Sequence, residues 1–498
     1  MGGGPIDQQP STTPTGPRAH TSPLRGLDNT PSSPLFEGRF GRMFRNLPVF
    51  DQDEDSLKKL AATMFEPADT STGDAGGASE LDNPEIPAGY TYLGQFIDHD
   101  TTFDPASSLQ KQNDPDALID FRTPRFDLDS LYGRGPSDSP FLYDQNPANA
   151  ALAGKVLLLG NDVGNGRDLQ RNGQDRALIG DPRNDENLVV SQLQTVFIRF
   201  HNKVVEKVAN DGIFDGDSLF KEAQRQVRWH YQWVVVYDFL ANHIVDDEVV
   251  ADILPTEAFR AGEREVELVR PRLLFYHPKN QPFMPVEFSV AAYRFGHSMI
   301  RPDYRFNDVV QQEVPIFSDD PNPLANLNGF RPLPQQWGFD WKFFFEVDAT
   351  HPAQRSRKLD AKLALPLQTL PVKVADHPRS LAERNLIRGM RMALPSGQAV
   401  ARHMGLEPLS DDDLAFGELA SDFADNAPLW YYLLKEAEIL GEGKKLGPVG
   451  GRIVAEVLIG LLAGDPLSYL NVEPSWRPTL AVNGHFGMPE LIHFALAP

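Results

Sequence analysis

Apolar positions recur at helical spacing over much of the chain. Leu193, Val196, Phe197, Phe200, Val204 and Val205 follow the i, i+3, i+4 rule of one helix face and predict a helix over 191–209. The stretch 220–245 predicts a longer helix, aromatic enough to be buried. Further helices are predicted over 286–300, stopped by Pro302, over 380–392, ending before Pro395, and over 429–440 and 451–462. Strand-like alternation is scarce, with short candidates at 266–269 and 343–347. No internal repeat is present. The pattern predicts a mainly α fold: one large domain with long loops and very little β. Long loops inside a compact domain usually carry function.

The ends differ from the middle. Residues 1–35 are rich in Gly, Pro, Ser and Thr and predict a disordered tail, because so few apolar groups cannot offset the entropy of ordering. The domain is then expected over 36–498, with 36–86 as an N-terminal arm whose aromatics and arginines lie on the main body. The start of the chain lacks a basic-then-apolar signal pattern. The longest apolar stretch, 453–463, contains Glu456 and is too short to span a bilayer. No membrane span is expected. The compartment stays open between the cytoplasm and export by a route without an N-terminal signal.

Composition narrows the chemistry. Apolar residues make up 41% of the 498, enough for a large core. Lys plus Arg is 47 against 69 Asp plus Glu, a net charge of −22, which speaks against nucleic acid or an anionic membrane as partner. The absence of cysteine excludes disulfides, thiolate nucleophiles, zinc–thiolate sites, Fe–S clusters and c-type haem attachment.

Four stretches carry candidate chemistry. In Gly94–Asp100, GQFIDHD, a helix would set Gln95 and His99 on one face, four apart, with Asp98 and Asp100 to either side of the imidazole. Burying these groups costs several kcal/mol unless something binds them, so a cofactor on one side and a cation on another are expected. In Thr123–Gly133, residues two apart face the same way if the chain is extended. Thr123, Arg125, Asp127 and Asp129 then converge, and such oxygen ligands suit a hard cation such as calcium, with room for a ligand from elsewhere. In Gly180–Asn187, Asp181 is a good N-cap and Pro182 fits the first helical position. Arg183 and Glu186 then share a face. In Ala292–Ser298, Gly296 leaves space beside His297, and Arg294 lies three earlier on the same helical face. His201, His230 and His243 read as packing and hydrogen-bonding residues, and no zinc, P-loop, GxGxxG or GxSxG spacing occurs.

These stretches, with Asn385–Arg391, resemble in order the motifs of the animal-type haem peroxidase superfamily, which includes the cyclooxygenases. The resemblance spans residues 35 to 470, and the lack of cysteines looks like a bacterial branch. It implies haem b with His297 as iron ligand, and His99, Arg183 and Gln95 as the catalytic groups on the opposite side. Asp98 and Glu186 match the carboxylates that form esters with haem methyls. Arg294 and Arg388 match partners of the haem propionates, and Asn385 matches the acceptor of the proximal imidazole N–H. Calcium is implied at Asp100, Thr123, Asp127 and Asp129, with Arg125 contributing its backbone carbonyl. Asn187 stands where myeloperoxidase-like members carry a methionine, so a sulfonium link and chloride oxidation are not expected. Arg294 stands where cyclooxygenases and fatty-acid dioxygenases carry a radical-forming tyrosine, with Tyr293 one residue away. The resemblance therefore implies a peroxidase that reduces hydrogen peroxide and oxidises phenols or halides. A fatty-acid dioxygenase and a catalytically vestigial adhesion or matrix module are the alternatives.

Overall fold

The computed structural model describes residues 38–67, 79–102, 119–120, 122–164, 166–261, 264–278, 282–372, 374–375 and 377–497. The predicted tail over 1–35, and Phe103 and Asp104, lie outside them. The protein is 44% helical and 10% strand, mainly α as its periodicity predicts. Among the described residues, no helix is long and apolar enough to cross a membrane.

The predicted helices appear within a few residues of their expected ends. They are Leu188–Asn210, Gly216–Trp233, Leu381–Arg391, Leu429–Gly441 and Pro448–Gly464. Two predicted segments change helix type. The segment over 220–245 passes from α-helix into a π-helix at Val234–Ile244. That over 286–300 is a π turn, Glu287–Ala291, followed by a 3₁₀ helix, Ala292–His297. Such departures from α geometry gather at functional sites, and both border the cavity described below. The helices Glu54–Thr63 and Met488–Leu496 were not predicted.

The strand expected at 266–269 exists, as part of a hairpin of Thr256–Ala261 with Arg264–Val269. That expected at 343–347 does not. Trp341–Phe343 is a 3₁₀ turn, and Phe343, Phe344 and Phe345 are all buried, whereas a one-sided strand would alternate. The N-terminal segment lies on the main body. Gly38–Gly41 pairs antiparallel with Ile119–Asp120 and parallel with Met284–Pro285. Arg391 ties Glu54 to the Leu381–Arg391 helix at 2.7 Å.

Three buried glutamates hold loops against this core by taking backbone N–H groups. Glu287 accepts from Met43 and Phe44, Glu436 from Val449 and Gly450, and Glu456 from Leu274, Phe275 and Tyr276. A buried carboxylate left unpaired would cost several kcal/mol, so these contacts satisfy charge and backbone together.

The helix that organises the rest is Gly89–Thr101. It starts where the chain touches Phe344: the Gly89 N–H donates to the Phe344 carbonyl at 2.8 Å, and a Cβ at this glycine would lie 2.5 Å from that oxygen. Phe96 stacks on Phe197 at 4.5 Å, pinning it to Leu188–Asn210. Buried residues surround this helix except at Gly94, Gln95 and Asp98, which share one face and line an internal cavity.

Candidate active site

The cavity holds about 490 Å³, within the range of small-molecule and cofactor sites. Its lining draws Gln95, Asp98, His99, Arg183 and Glu186 from one part of the chain and Arg294, Gly296, His297 and Arg388 from another. Residues far apart in sequence thus converge on one cavity. Ile316, Phe317, Leu367, Leu370 and Val374 add an apolar border from loops in which the sequence reading found no signal.

His99 is held by a chain of amides whose direction can be read. Gln194 donates to the carbonyl of Ser130 at 3.3 Å, so its oxygen is the acceptor for Asn184 Nδ2 at 2.8 Å. Asn184 therefore presents Oδ1 to His99 Nδ1 at 2.7 Å, and Nδ1 must carry the proton. Nε2 keeps its lone pair. Burial, followed by the charge of Arg183, lowers the imidazole pKa to about 4, so the ring is neutral at neutral pH. A neutral ring with a bare Nε2 is a base ready to take a proton.

Arg183 sits beside it as anticipated. Its Nη2 donates to the carbonyls of His99 at 3.0 Å and Thr102 at 2.6 Å, and to Asp181 at 2.8 Å. Asp181 does cap the turn, accepting the Arg183 N–H at 2.8 Å, but the turn Pro182–Asp185 is 3₁₀. Burial pushes the Asp181 carboxyl up, yet Arg183 and Arg122 outweigh it and hold the group well below the usual carboxylate range. The sequence reading did not include Arg122, whose Nη2 reaches Asp181 at 2.5 Å.

Gln95 is fixed from both ends. It donates to Glu186 at 3.2 Å and accepts from Asn187 Nδ2 at 3.0 Å, while Asn187 Oδ1 caps the next helix through the Val190 N–H. Asn187 thus positions Gln95 from the site where a methionine was the point of comparison. Burial raises Glu186 to about 7. Asp98 accepts the Thr102 hydroxyl at 2.9 Å.

Behind His297, Asn385 meets the ring Nδ1 at 2.8 Å, as the motif predicts. The polarity is reversed from expectation. A guanidinium only donates, so Arg294 Nη1, 3.0 Å away, takes the Asn385 oxygen and leaves Nδ2 facing the ring. In a 3₁₀ helix residues three apart eclipse, which sets Arg294 directly over His297. Burial, then Arg294, lowers His297 to about 3, leaving the neutral imidazole a metal requires. Arg384, one turn before Arg388 on the same helix, also lines the cavity and was missed because only Arg388 carries the motif spacing.

The acidic loop does not take the extended form expected of it. Residues 124–127 run through bends instead of an extended strand, and Leu128 adopts a left-handed conformation at φ 57°. That turn still brings Asp127 and Asp129 together with Asp100, with ligand oxygens within 4.8 Å of one another. Thr123 donates its hydroxyl to Asp127 at 2.7 Å. Asp100 is fully buried and accepts from the Leu128 N–H and the Ser130 hydroxyl, each at 3.2 Å. Arg125 is buried, its N–H donating to the Thr123 carbonyl at 2.7 Å. Burial, then Asp127 and Asp129, pushes Asp100 far up, the mark of a carboxylate cluster short of positive charge. Arg122 supplies part of it, 2.9 Å from Asp129.

His201 is structural as expected, held by the Tyr132 hydroxyl at 3.0 Å and the Lys155 carbonyl at 2.8 Å.

The animal haem peroxidase family matches residues 106–412, a span that holds Arg183, Glu186, His297 and Asn385 but begins after His99. Peroxidasin of Drosophila melanogaster is 25% identical over 61% of this chain and 19% of its own length. Thyroid peroxidase of Sus scrofa is 26% identical over 58% of this chain and 30% of its own. The chain therefore matches less than a third of either relative. Among solved structures, peroxidase A of Dictyostelium discoideum superposes with TM-score 0.56 at 16% identity, covering 88% of each chain. The fatty acid alpha-dioxygenase of Oryza sativa gives 0.57 at 16% identity, covering 91% of this chain and 78% of that one. A cavity that brings His99 and His297 together, and a family match over more than half the sequence, lead to one assignment: the chain belongs to the animal haem peroxidase family.

Proposed function

We propose that the protein is a haem b peroxidase that reduces hydrogen peroxide and oxidises small phenols or halides. The observation that carries this is His99: neutral, with its proton fixed on Nδ1 and its lone pair on Nε2, in one cavity with Arg183 and His297. The residues present fit a haem. His297 has its Nδ1 engaged by Asn385, its Nε2 would take iron once the ring proton moves to Nδ1, and a Cβ at Gly296 would meet nothing within 4 Å. Arg294, Arg384 and Arg388 bring positive charge suited to two propionates. Bound there, haem would supply the redox chemistry that no side chain here can.

The protein's own groups then divide the work. His99 Nε2 takes the proton from the near oxygen of hydrogen peroxide and returns it to the leaving oxygen. Arg183 stabilises the charge that develops as the O–O bond breaks. Gln95, held by Glu186 and Asn187, orders water or an anion between them. Asp98 and Glu186 both reach the cavity, where ester links to haem would form; acid extraction after peroxide cycling, followed by mass spectrometry, tests them. The test of the whole reading is the absorption spectrum before and after one equivalent of peroxide. A Soret band that shifts within milliseconds and recovers on adding a phenol or iodide supports it. A band indifferent to peroxide overturns it.

Calcium at Asp100, Thr123, Asp127 and Asp129, with the Arg125 carbonyl, belongs to the same proposal. Its support is the set of three carboxylates and its link to His99. Ser130 donates to Asp100 while its carbonyl starts the amide chain that ends at His99 Nδ1. Chelation is expected to lower the thermal midpoint and slow the peroxide reaction while haem stays bound. Metal analysis that finds no calcium after mild dialysis would end the proposal.

The dioxygenase reading keeps one observation in its favour. Tyr293 lines the cavity with a buried phenol that has no hydrogen-bond partner among the described residues. Oxygen uptake with a fatty acid and no added peroxide would support that reading.

A further inference from the structure

Tyr90 does not belong to the motifs above, yet it stands between two cavities. It contributes to the wall of the main cavity and to that of a second one, of about 250 Å³, on the other side. Of two consecutive residues, Asp238 faces the outer cavity and Phe239 the inner. The outer cavity opens at the surface through Asn242, Glu346 and His485, all exposed.

The surroundings of Tyr90 are those of a phenol prepared to lose a proton together with an electron. Its ring is buried, and its hydroxyl lies 2.9 Å from each oxygen of Asp238. Asp238 also accepts the Met488 N–H at 2.6 Å, and a Cβ at Gly487 would lie 2.8 Å from its carboxyl carbon. Burial raises this carboxyl to about 6, which makes it a better proton acceptor. The Tyr90 ring stacks on His243 at 3.7 Å and 23°, and His243 lines the outer cavity. A purely structural tyrosine needs one hydrogen-bond partner. It does not need a buried carboxylate on one side and a stacked ring leading to a surface cavity on the other.

We propose that Tyr90 relays single electrons from a donor bound in the outer cavity to the main site, giving the enzyme a second oxidation site at its surface. This rests on the peroxidase reading, with hydrogen peroxide as the oxidant. Tyr90 gives one electron inward and its phenolic proton to Asp238, becoming a neutral phenoxyl radical. The outer donor returns one electron to Tyr90, Asp238 returns the proton, and the oxidised donor, a phenol, sheds its own hydroxyl proton to solvent at the open mouth of the outer cavity. The donor is oxidised by one electron, and two such turns consume the two oxidising equivalents of one peroxide. The outer cavity carries Asp238, Glu346 and Glu490, while Arg355 neutralises Glu346 at 2.9 Å. With Phe486 and His243 as ring surfaces, it fits a small phenol that bears a positive charge.

The test is freeze-quench electron paramagnetic resonance on the haem-loaded protein, mixed with one equivalent of peroxide and no donor. The protein is prepared with ring-deuterated tyrosine, and Tyr90→Phe and Tyr293→Phe are run beside it. The expected result is a radical signal narrowed by deuteration, lost in Tyr90→Phe and kept in Tyr293→Phe. Tyramine should discharge it at least tenfold faster than 3-(4-hydroxyphenyl)propionate, the same phenol with the opposite charge. A signal that survives in Tyr90→Phe, or no radical although the Soret band responds to peroxide, overturns the relay and leaves the peroxidase reading standing. Equal discharge by the two phenols overturns the outer binding site. A Soret band indifferent to peroxide overturns the peroxidase reading and the relay with it.

Discussion

Replacing His99 by glutamine is expected to slow the reaction with hydrogen peroxide by about 10²–10⁴-fold, the usual worth of a positioned general base. Glutamine keeps a polar group of similar reach but has no lone pair basic enough to take the peroxide proton. Haem binding should persist, because the proposed iron ligand, His297, is left intact. Rapid mixing of the loaded variant with peroxide, followed at the Soret band, measures the loss. An unchanged rate with haem bound would remove His99 from the mechanism. The tautomer argument sharpens the expectation. Asn184 can accept only from a protonated Nδ1, so the base is Nε2, the nitrogen left for the cavity.

The reason His99 could be picked from the sequence, and Asn184 could not, is physical. GQFIDHD places a polar face inside an apolar stretch, and that conflict is visible in one dimension. Asn184 and Gln194 are ordinary amides at unremarkable positions. Their role exists only because Pro182–Asp185 and the Leu188–Asn210 helix fold back against Gly89–Thr101 and Ser130. Arg122 and Asp181 are a second such case, an ion pair made across 59 residues.

Periodicity located the helices but not their type. Apolar spacing near 3.6 tolerates a short π or 3₁₀ segment, so 286–300 read as a single helix although none of Glu287–His297 is α-helical. The difference matters for chemistry, since the 3₁₀ turn brings Arg294 over His297. Buried glutamates show the same limit from another side. Glu456 reads in sequence as an interruption of an apolar run. In the fold it is fully buried and takes three backbone N–H groups from residues 274–276. The aromatic run Phe343–Phe345 misleads in the opposite sense. Its residues suit a strand, but contact on every side favours a turn that buries all three.

Replacing His297 by alanine is expected to abolish stable haem binding, the largest effect of any single change here. The variant should be purified without a Soret band under loading conditions that saturate the parent. Added imidazole should restore the band, because the rest of the cavity lining remains, and a misfolded protein would not respond. A variant that keeps its full Soret band without imidazole would place the iron ligand elsewhere. The neighbours of His297 make the expectation specific. Asn385 Nδ2 now faces Nδ1, which puts the ring proton on Nε2, the nitrogen a metal must take. Ligation therefore requires the proton to move to Nδ1 and the Asn385 amide to turn its oxygen to the ring. Arg294 holds that oxygen at 3.0 Å and must release it. A propionate is the partner that would draw the guanidinium away, so haem binding and the proximal hydrogen bond form together.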